Sequence, residues 1–156
     1  MKPTQGLLER VAARVLAEAA YLFVEPLRRD PPEVESWPAS GARVAFSGPA
    51  RGYVEIWAPD EVARQLAANM LGQELDAPEV DETFVDAMME TLNVICGNLL
   101  AELAGQEPLF RLGAPRACRR LAPLEGDGAG VDAWLQTGGH ALLVRMQVAA
   151  RHSRVA

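Results

Sequence analysis

Apolar residues recur every three or four positions from Phe84 to Leu103, and the polar residues between them fall on a line. At about 100° per residue, Phe84, Met88, Leu92, Ile95, Leu99 and Leu103 share one side of a helix. Asp86, Glu90, Asn93 and Gly97 form a stripe on the other side. The pattern predicts one long helix from about Val80 to Leu103, with Gly105 as its stop. A solvated helix face ordinarily carries Lys, Glu, Arg and Gln. This one carries an asparagine, which costs a few tenths of a kcal/mol relative to alanine, and a glycine, which costs about 1 kcal/mol. Two unfavourable choices on one face point to contact with another molecule. On pattern alone the plainer alternative, the wet side of a surface helix, stays open.

The other elements follow from the same reading. Leu8, Val11, Val15, Ala19, Leu22 and Phe23 predict a first amphipathic helix over Thr4–Leu27, closed by Pro26 and Asp30-Pro31-Pro32. Extended runs follow at Val34–Trp37, Arg43–Ser47 and Gly52–Trp57. In the last of these, Tyr53, Glu55 and Trp57 alternate with Val54 and Ile56, the period of a half-buried strand. The turn-rich stretch Ser47–Gly52 joins two runs into a hairpin. Asp60 is the expected N-cap of a second helix over Glu61–Leu71, ended by Gly72. Beyond Pro108, extended runs are predicted at Phe110–Leu121, Val131–Thr137 and Ala141–Ala150. Turns are expected at Glu125–Gly130 and Thr137–His140, and a frayed tail from Arg151. Grouped strands joined by hairpins imply an α+β domain, an antiparallel sheet packed with long amphipathic helices. Residues 1–156 are expected to form a single domain.

The net charge of −6 argues against a nucleic-acid or anionic-membrane surface. Arg116, Arg119 and Arg120 cluster, and the expected reading is a solvated face. Cys96 and Cys118 lack the Cys-x-x-Cys spacing, and Cys96 lies toward the apolar side of the long helix, as a reduced core residue. His140 and His152 have no ligand-like neighbours, so no metal site is expected. No segment holds the roughly 18 uninterrupted apolar residues of a membrane span. Glu9, Arg10, Arg14 and Glu18 interrupt any signal-peptide core. The cytoplasm is therefore the expected location.

The phosphate loop, the dinucleotide fingerprint, the nucleophile elbow and the metalloprotease helix are all missing from the sequence. What remains is the stripe. Glu90-Thr-Leu-Asn93-Val-Ile-Cys-Gly97-Asn98 resembles the Glu-x-x-Asn-x-x-x-Gly-Asn signature of the CheC/CheX/FliY chemotaxis phosphatases. Gly52-Tyr-Val-Glu-Ile56 and Val62–Gly72, ending Asn-Met-Leu-Gly, are similar to the strand and following helix of CheX-type members. CheC-type members carry a second motif on the first helix. Here Leu16–Glu25 aligns with Met88–Gly97, but Tyr21 stands where the asparagine would be. The first helix thus resembles the single-site CheX arrangement, and Tyr21 is expected to pack ordinarily at a helix end.

The resemblance implies a phosphatase that hydrolyses the aspartyl phosphate of a CheY-like response-regulator receiver. It implies that Asn93 orients the attacking water and Glu90 docks the receiver's lysine. Gly97 would let the partner approach closely, and Asp86 would extend the contact. Asn98 is expected to be a structural partner. No cofactor of its own is implied, because Mg2+ belongs to the receiver. A homodimer through the sheet is implied as well. Two other readings remain in play: a non-catalytic receiver-binding or flagellar-switch module, and a dimerisation domain of the same fold.

Overall fold

The computed structural model describes residues 1–105, 109–124 and 128–150. Three helices lie on an antiparallel sheet. The elements are α1 (Gln5–Ala20), β1 (Glu25–Pro26), β2 (Ser40–Ser47), β3 (Gly52–Ala58), α2 (Asp60–Leu71), α3 (Pro78–Ala104), β4 (Arg111–Leu112), β5 (Arg116–Cys118), β6 (Ala129–Thr137) and β7 (His140–Val148). The strand order is β1-β6-β7-β3-β2-β4, and β5 also pairs with β2. This is the α+β architecture that the sequence predicts.

The inner face of the sheet follows a strict alternation. Ala42 and Val44 of β2, Val54 and Ile56 of β3, Ala133 and Leu135 of β6, and Leu142, Val144 and Met146 of β7 all join one core. Leu8, Val11 and Leu16 of α1 and Met88, Leu92, Ile95 and Leu99 of α3 close over it. α3 is long and apolar enough, by length and composition, to cross a bilayer. Its apolar side lies against the sheet instead, as expected of a core helix.

The outer face differs from expectation. β3 is not a half-buried strand: Glu55 is 3% and Trp57 1% exposed. The Trp57 ring lies flat on Gly41, where a Cβ would meet it at 2.4 Å. Arg43, Glu55, Arg145 and Asp132 stand directly across from one another on β2, β3, β7 and β6. Their charges alternate, and each neighbour is an ion pair. Arg145 also donates to the Ala122 carbonyl, which clips the segment after β5 over this face. Burial works against the charge of Arg145, but the hydrogen bond and charge of Asp132, with Glu55, outweigh it and raise its pKa.

Several boundaries move for local reasons. α1 stops at Ala20 rather than Leu27. Tyr21 takes a left-handed conformation at φ 48°, and the Leu22 N–H bonds back to the Leu16 carbonyl at 3.1 Å. This closure swings Leu22 into the core and releases the chain to run as β1. Pro26 sits on that edge strand, where a missing N–H is tolerated. Val34–Ser36 is a 3-10 turn, not a strand, because Glu33 accepts from the Ser36 N–H at 3.1 Å. Asp60 is not the N-cap of α2. It lies in the first turn, where its carboxylate accepts from the Ser40 hydroxyl at 2.8 Å, and Pro59 is the cap. The run expected over Phe110–Leu121 breaks into β4 and β5. The Thr137–His140 turn forms as predicted, with Gly138 and Gly139 at φ 53° and 81°. Of the Glu125–Gly130 turn, residues 125–127 lie outside the described residues, as do the tail from Arg151 and His152.

Candidate functional site

α3 is covered on most of its circumference. Ala87, Thr91, Cys96 and Leu100 are buried as well as the sheet-facing residues. Thr91 Oγ1 lies 2.9 Å from the Ala87 carbonyl and 3.5 Å from Met70 Sδ, so α2 covers one flank. α1 covers the same flank further along, since Asn98 lies seven residues and so about two turns beyond Thr91: Arg14 reaches Asn98 at 3.1 Å and Arg10 reaches Glu102 at 3.2 Å. Beside this flank the outward line of α3 is left bare. Asp86, Glu90, Asn93 and Gly97 are all exposed on it, on the predicted side of the helix.

The polar groups of this line are not used internally. Among the described residues, the side chains of Asp86, Glu90 and Asn93 make no hydrogen bond or ion pair. A Cβ built on Gly97 would meet nothing within 4 Å. Among the described residues no packing therefore requires a glycine there. The contrast with Asn98 is sharp. Its Oδ1 accepts from Arg14 and its Nδ2 donates to the Val94 carbonyl at 2.8 Å. Asn98 is thus a structural residue, as expected, and it ties α1 to the backbone one residue past Asn93. Glu102 strengthens the same seam. Its carboxyl is held below the ordinary range, chiefly by the hydrogen bond from Arg10 and further by Arg14.

This outward line, the ridge of α3, runs beside the flank that α2 and α1 hold. Two sizeable cavities lie elsewhere, one beside Trp37, Trp57 and Arg145 on the outer face and one at the Gly48–Arg51 turn. A ridge carrying an unpaired carboxylate and an unpaired carboxamide one turn apart suits a partner that brings its own cleft. Among the described residues no three His, Cys, Asp or Glu side chains form a metal-binding group.

The chain matches the family model described as chemotaxis phosphatase CheX over residues 40–122, more than half of its length. The chain belongs to the CheX family. The matched span contains the whole of Glu90–Asn98. Solved CheX proteins share the fold. A chain of the CheX–CheY–BeF3–Mg2+ complex of Borrelia burgdorferi superposes with a TM-score of 0.72 at 18% identity, over 96% of this chain and 99% of that one. CheX of Desulfovibrio desulfuricans gives 0.71 at 18% identity, over 92% and 97%. CheX of Vibrio vulnificus gives 0.71 at 15% identity, over 94% and 99%. At these identities the likeness is one of fold. No curated protein matches the sequence.

Two residues near the line escaped the sequence. Arg14 is 84 positions from its partner Asn98, and no local pattern joins them. Tyr21 does not pack ordinarily at the end of α1, for it is 70% exposed. Its place opposite Asn93 in the alignment of the two helices was the available signal. The two thiols are free, and burial pushes the Cys96 thiol up to about 12, which leaves it unreactive. Arg116, Arg119 and Arg120 are exposed, as expected of a solvated face.

Proposed function

We propose that this CheX-family protein hydrolyses the aspartyl phosphate of a CheY-like receiver domain, using Asn93 and Glu90 on the α3 ridge. The carrying observation is that, among the described residues, these two side chains stand exposed and unpaired, one turn apart, on the outward line of α3. The CheX–CheY complex of Borrelia burgdorferi names a partner of the right chemistry for a protein of this fold.

An acyl phosphate is already activated, so the remaining tasks are to place water in line and to stabilise charge. Water attacks phosphorus, the bond between phosphorus and the aspartyl oxygen breaks, and the carboxylate leaves. Both protons of the water leave with inorganic phosphate, which exchanges one with solvent. A carboxamide is no base, but its oxygen accepts from water and its N–H groups donate. Asn93 entering the receiver's cleft would hold that water on the phosphorus side, a gain in orientation rather than in basicity. The receiver supplies its own Mg2+ and lysine. Glu90 would meet that lysine in a charge-assisted contact that fixes the docking angle. Asp86 lies further along the same line and would extend the contact. Gly97 would admit the receiver's surface close to the helix backbone.

Glu90→Ala is expected to raise the receiver concentration needed for half-maximal dephosphorylation, by about tenfold for a lost charge-assisted contact. Saturating receiver should restore most of the rate. An unchanged concentration dependence removes Glu90 from docking.

Gly97→Ala is expected to act in opposite directions on fold and function. The fold should gain about 1 kcal/mol, read as a higher urea midpoint, because the helix prefers alanine and nothing obstructs a methyl group. Activity should fall, because the methyl group stands between the receiver and the helix. A variant both more stable and fully active would show that the partner does not approach there.

The rival reading is a module that binds a receiver without hydrolysis. Phosphate release at substoichiometric protein separates the two, since a binder cannot turn over. Homodimerisation belongs to the same proposal. Among the described residues the sheet ends in the two residues of β1 on one side and in the short β4 and β5 on the other. Light scattering on the purified chain measures the assembly directly.

A further inference from the structure

The end of α1 carries a residue that its own fold does not ask for. Tyr21 closes the helix at φ 48° and ψ 34°. That left-handed region is cheap for glycine or asparagine and costly for an aromatic residue. The conformation itself is held by backbone groups. The Tyr21 N–H donates to the Ala17 carbonyl and the Leu22 N–H to the Leu16 carbonyl, both at 3.1 Å. Asn69 Nδ2 donates to the Tyr21 carbonyl at 3.4 Å. None of these bonds uses the ring, which lies 70% exposed.

Two sets of contacts locate the residue that carries that ring. α1 runs antiparallel to α3, with Arg10 against Glu102 and Arg14 against Asn98. Continuing this pairing to the end of α1 brings Tyr21 level with Thr91. α2 gives the second bearing. Asn69 touches Tyr21, and the next residue, Met70, touches the Thr91 hydroxyl. Both bearings put Tyr21 on the flank of the Glu90–Val94 turn, where Val94 is itself 43% exposed.

We propose that Tyr21 is a docking residue for the receiver, an aromatic contact that seats the partner on the α1 side of Asn93. This rests on the reading of Glu90 and Asn93 as the receiver site. The chemistry suits the place. A tyrosine offers a large rigid surface with a polar tip, and such rings dominate protein interfaces. A partner that lowers its cleft over the ridge must cover the flanks of the ridge too. An aromatic side chain kept at a left-handed position that glycine or asparagine would fill more cheaply, with no hydrogen bond or ring contact of its own among the described residues, fits an external contact.

The test uses the full chain and the CheY-like receiver encoded nearest to it, phosphorylated with acetyl phosphate. Wild type, Tyr21→Gly, Tyr21→Asn, Tyr21→Phe and Asn93→Ala are compared by thermal melting, by receiver titration and by phosphate release against receiver concentration. Tyr21→Gly and Tyr21→Asn should melt about 2–5 °C higher. Their KM for receiver should rise about tenfold with kcat within about twofold, the signature of lost uniform binding. Tyr21→Phe keeps the ring and should keep the wild-type KM. If Tyr21→Gly melts higher but keeps the wild-type KM and affinity, the proposal is overturned while the ridge keeps its function. If wild type binds receiver without releasing phosphate, and Tyr21→Gly binds more weakly, the hydrolytic reading falls and the docking role stands. No binding by wild type overturns both.

Discussion

Asn93→Ala is expected to abolish nearly all receiver dephosphorylation, with a loss of about 10²–10³-fold in kcat, while the protein remains folded. The magnitude is that of removing one preorganised hydrogen-bonding group from the reacting centre. The fold should lose nothing. The Asn93 side chain is exposed and makes no bond among the described residues, and alanine is the better helix former by a few tenths of a kcal/mol. Thermal melting should therefore show an equal or slightly higher midpoint. Single-turnover phosphate release at saturating receiver isolates the chemical step from docking. Full retained activity at saturation would remove Asn93 from the chemistry and leave the ridge as an adhesive surface. A loss confined to low receiver concentration would make it a docking residue like Glu90.

The second large effect belongs to the far side of the sheet. Arg145→Met is expected to destabilise the fold by about 3–5 kcal/mol, the cost of leaving buried charges without their counter-ion. Asp132 would lose its bidentate partner, Glu55 one of its two guanidiniums, and the Ala122 carbonyl its donor. Urea unfolding, with its midpoint compared at constant slope, reads the loss. The ridge of α3 faces away from this cluster, so kcat per folded molecule should stay within about twofold of wild type. A neutral result would mean that the methionine packs well enough to offset the lost pairs, which is known for buried ion pairs exchanged as a set but not for one partner removed alone.

The long helix and its polar line were legible because periodicity reports burial directly. Met88, Leu92, Ile95 and Leu99 face the sheet, and Asp86, Glu90, Asn93 and Gly97 face out, as the spacing required. Glycine beyond the end of α2 and α3 marked both stops correctly. Other elements were settled by distant partners that no local window contains. Asp60 has the chemistry of a cap, but a hydroxyl on β2 takes its carboxylate. The alternation of Tyr53 and Glu55 with Val54 and Ile56 gave the strand and its inner face. It could not reveal that guanidiniums from β2 and β7 bury Glu55 from the other side. Tyr21 was misread because helical spacing continues through Leu22 and Phe23, whereas the closure at Tyr21 depends on drawing Leu22 into a tertiary core. The site shares this division. Its polar line was readable on one helix, and the flank beside it, Arg14 with Asn98 and Tyr21 with Asn69, was not.

The four alternating charges across β2, β3, β7 and β6 also decide how the strands can slide. Their inner faces are built from interchangeable aliphatic residues, so a slip of two positions would keep every small apolar side chain on the core side. Such a slip between β2 and β3 would set Arg43 against Tyr53 or Trp57, and Glu55 against Gly41 or Ala45. Between β3 and β7 it would bury Glu55 against Leu143 or Gln147. Each alternative parts Glu55 from one of its guanidiniums, whereas the native alignment pairs all four charges at once. The row therefore works as a selector among pairings that hydrophobicity alone would leave nearly degenerate.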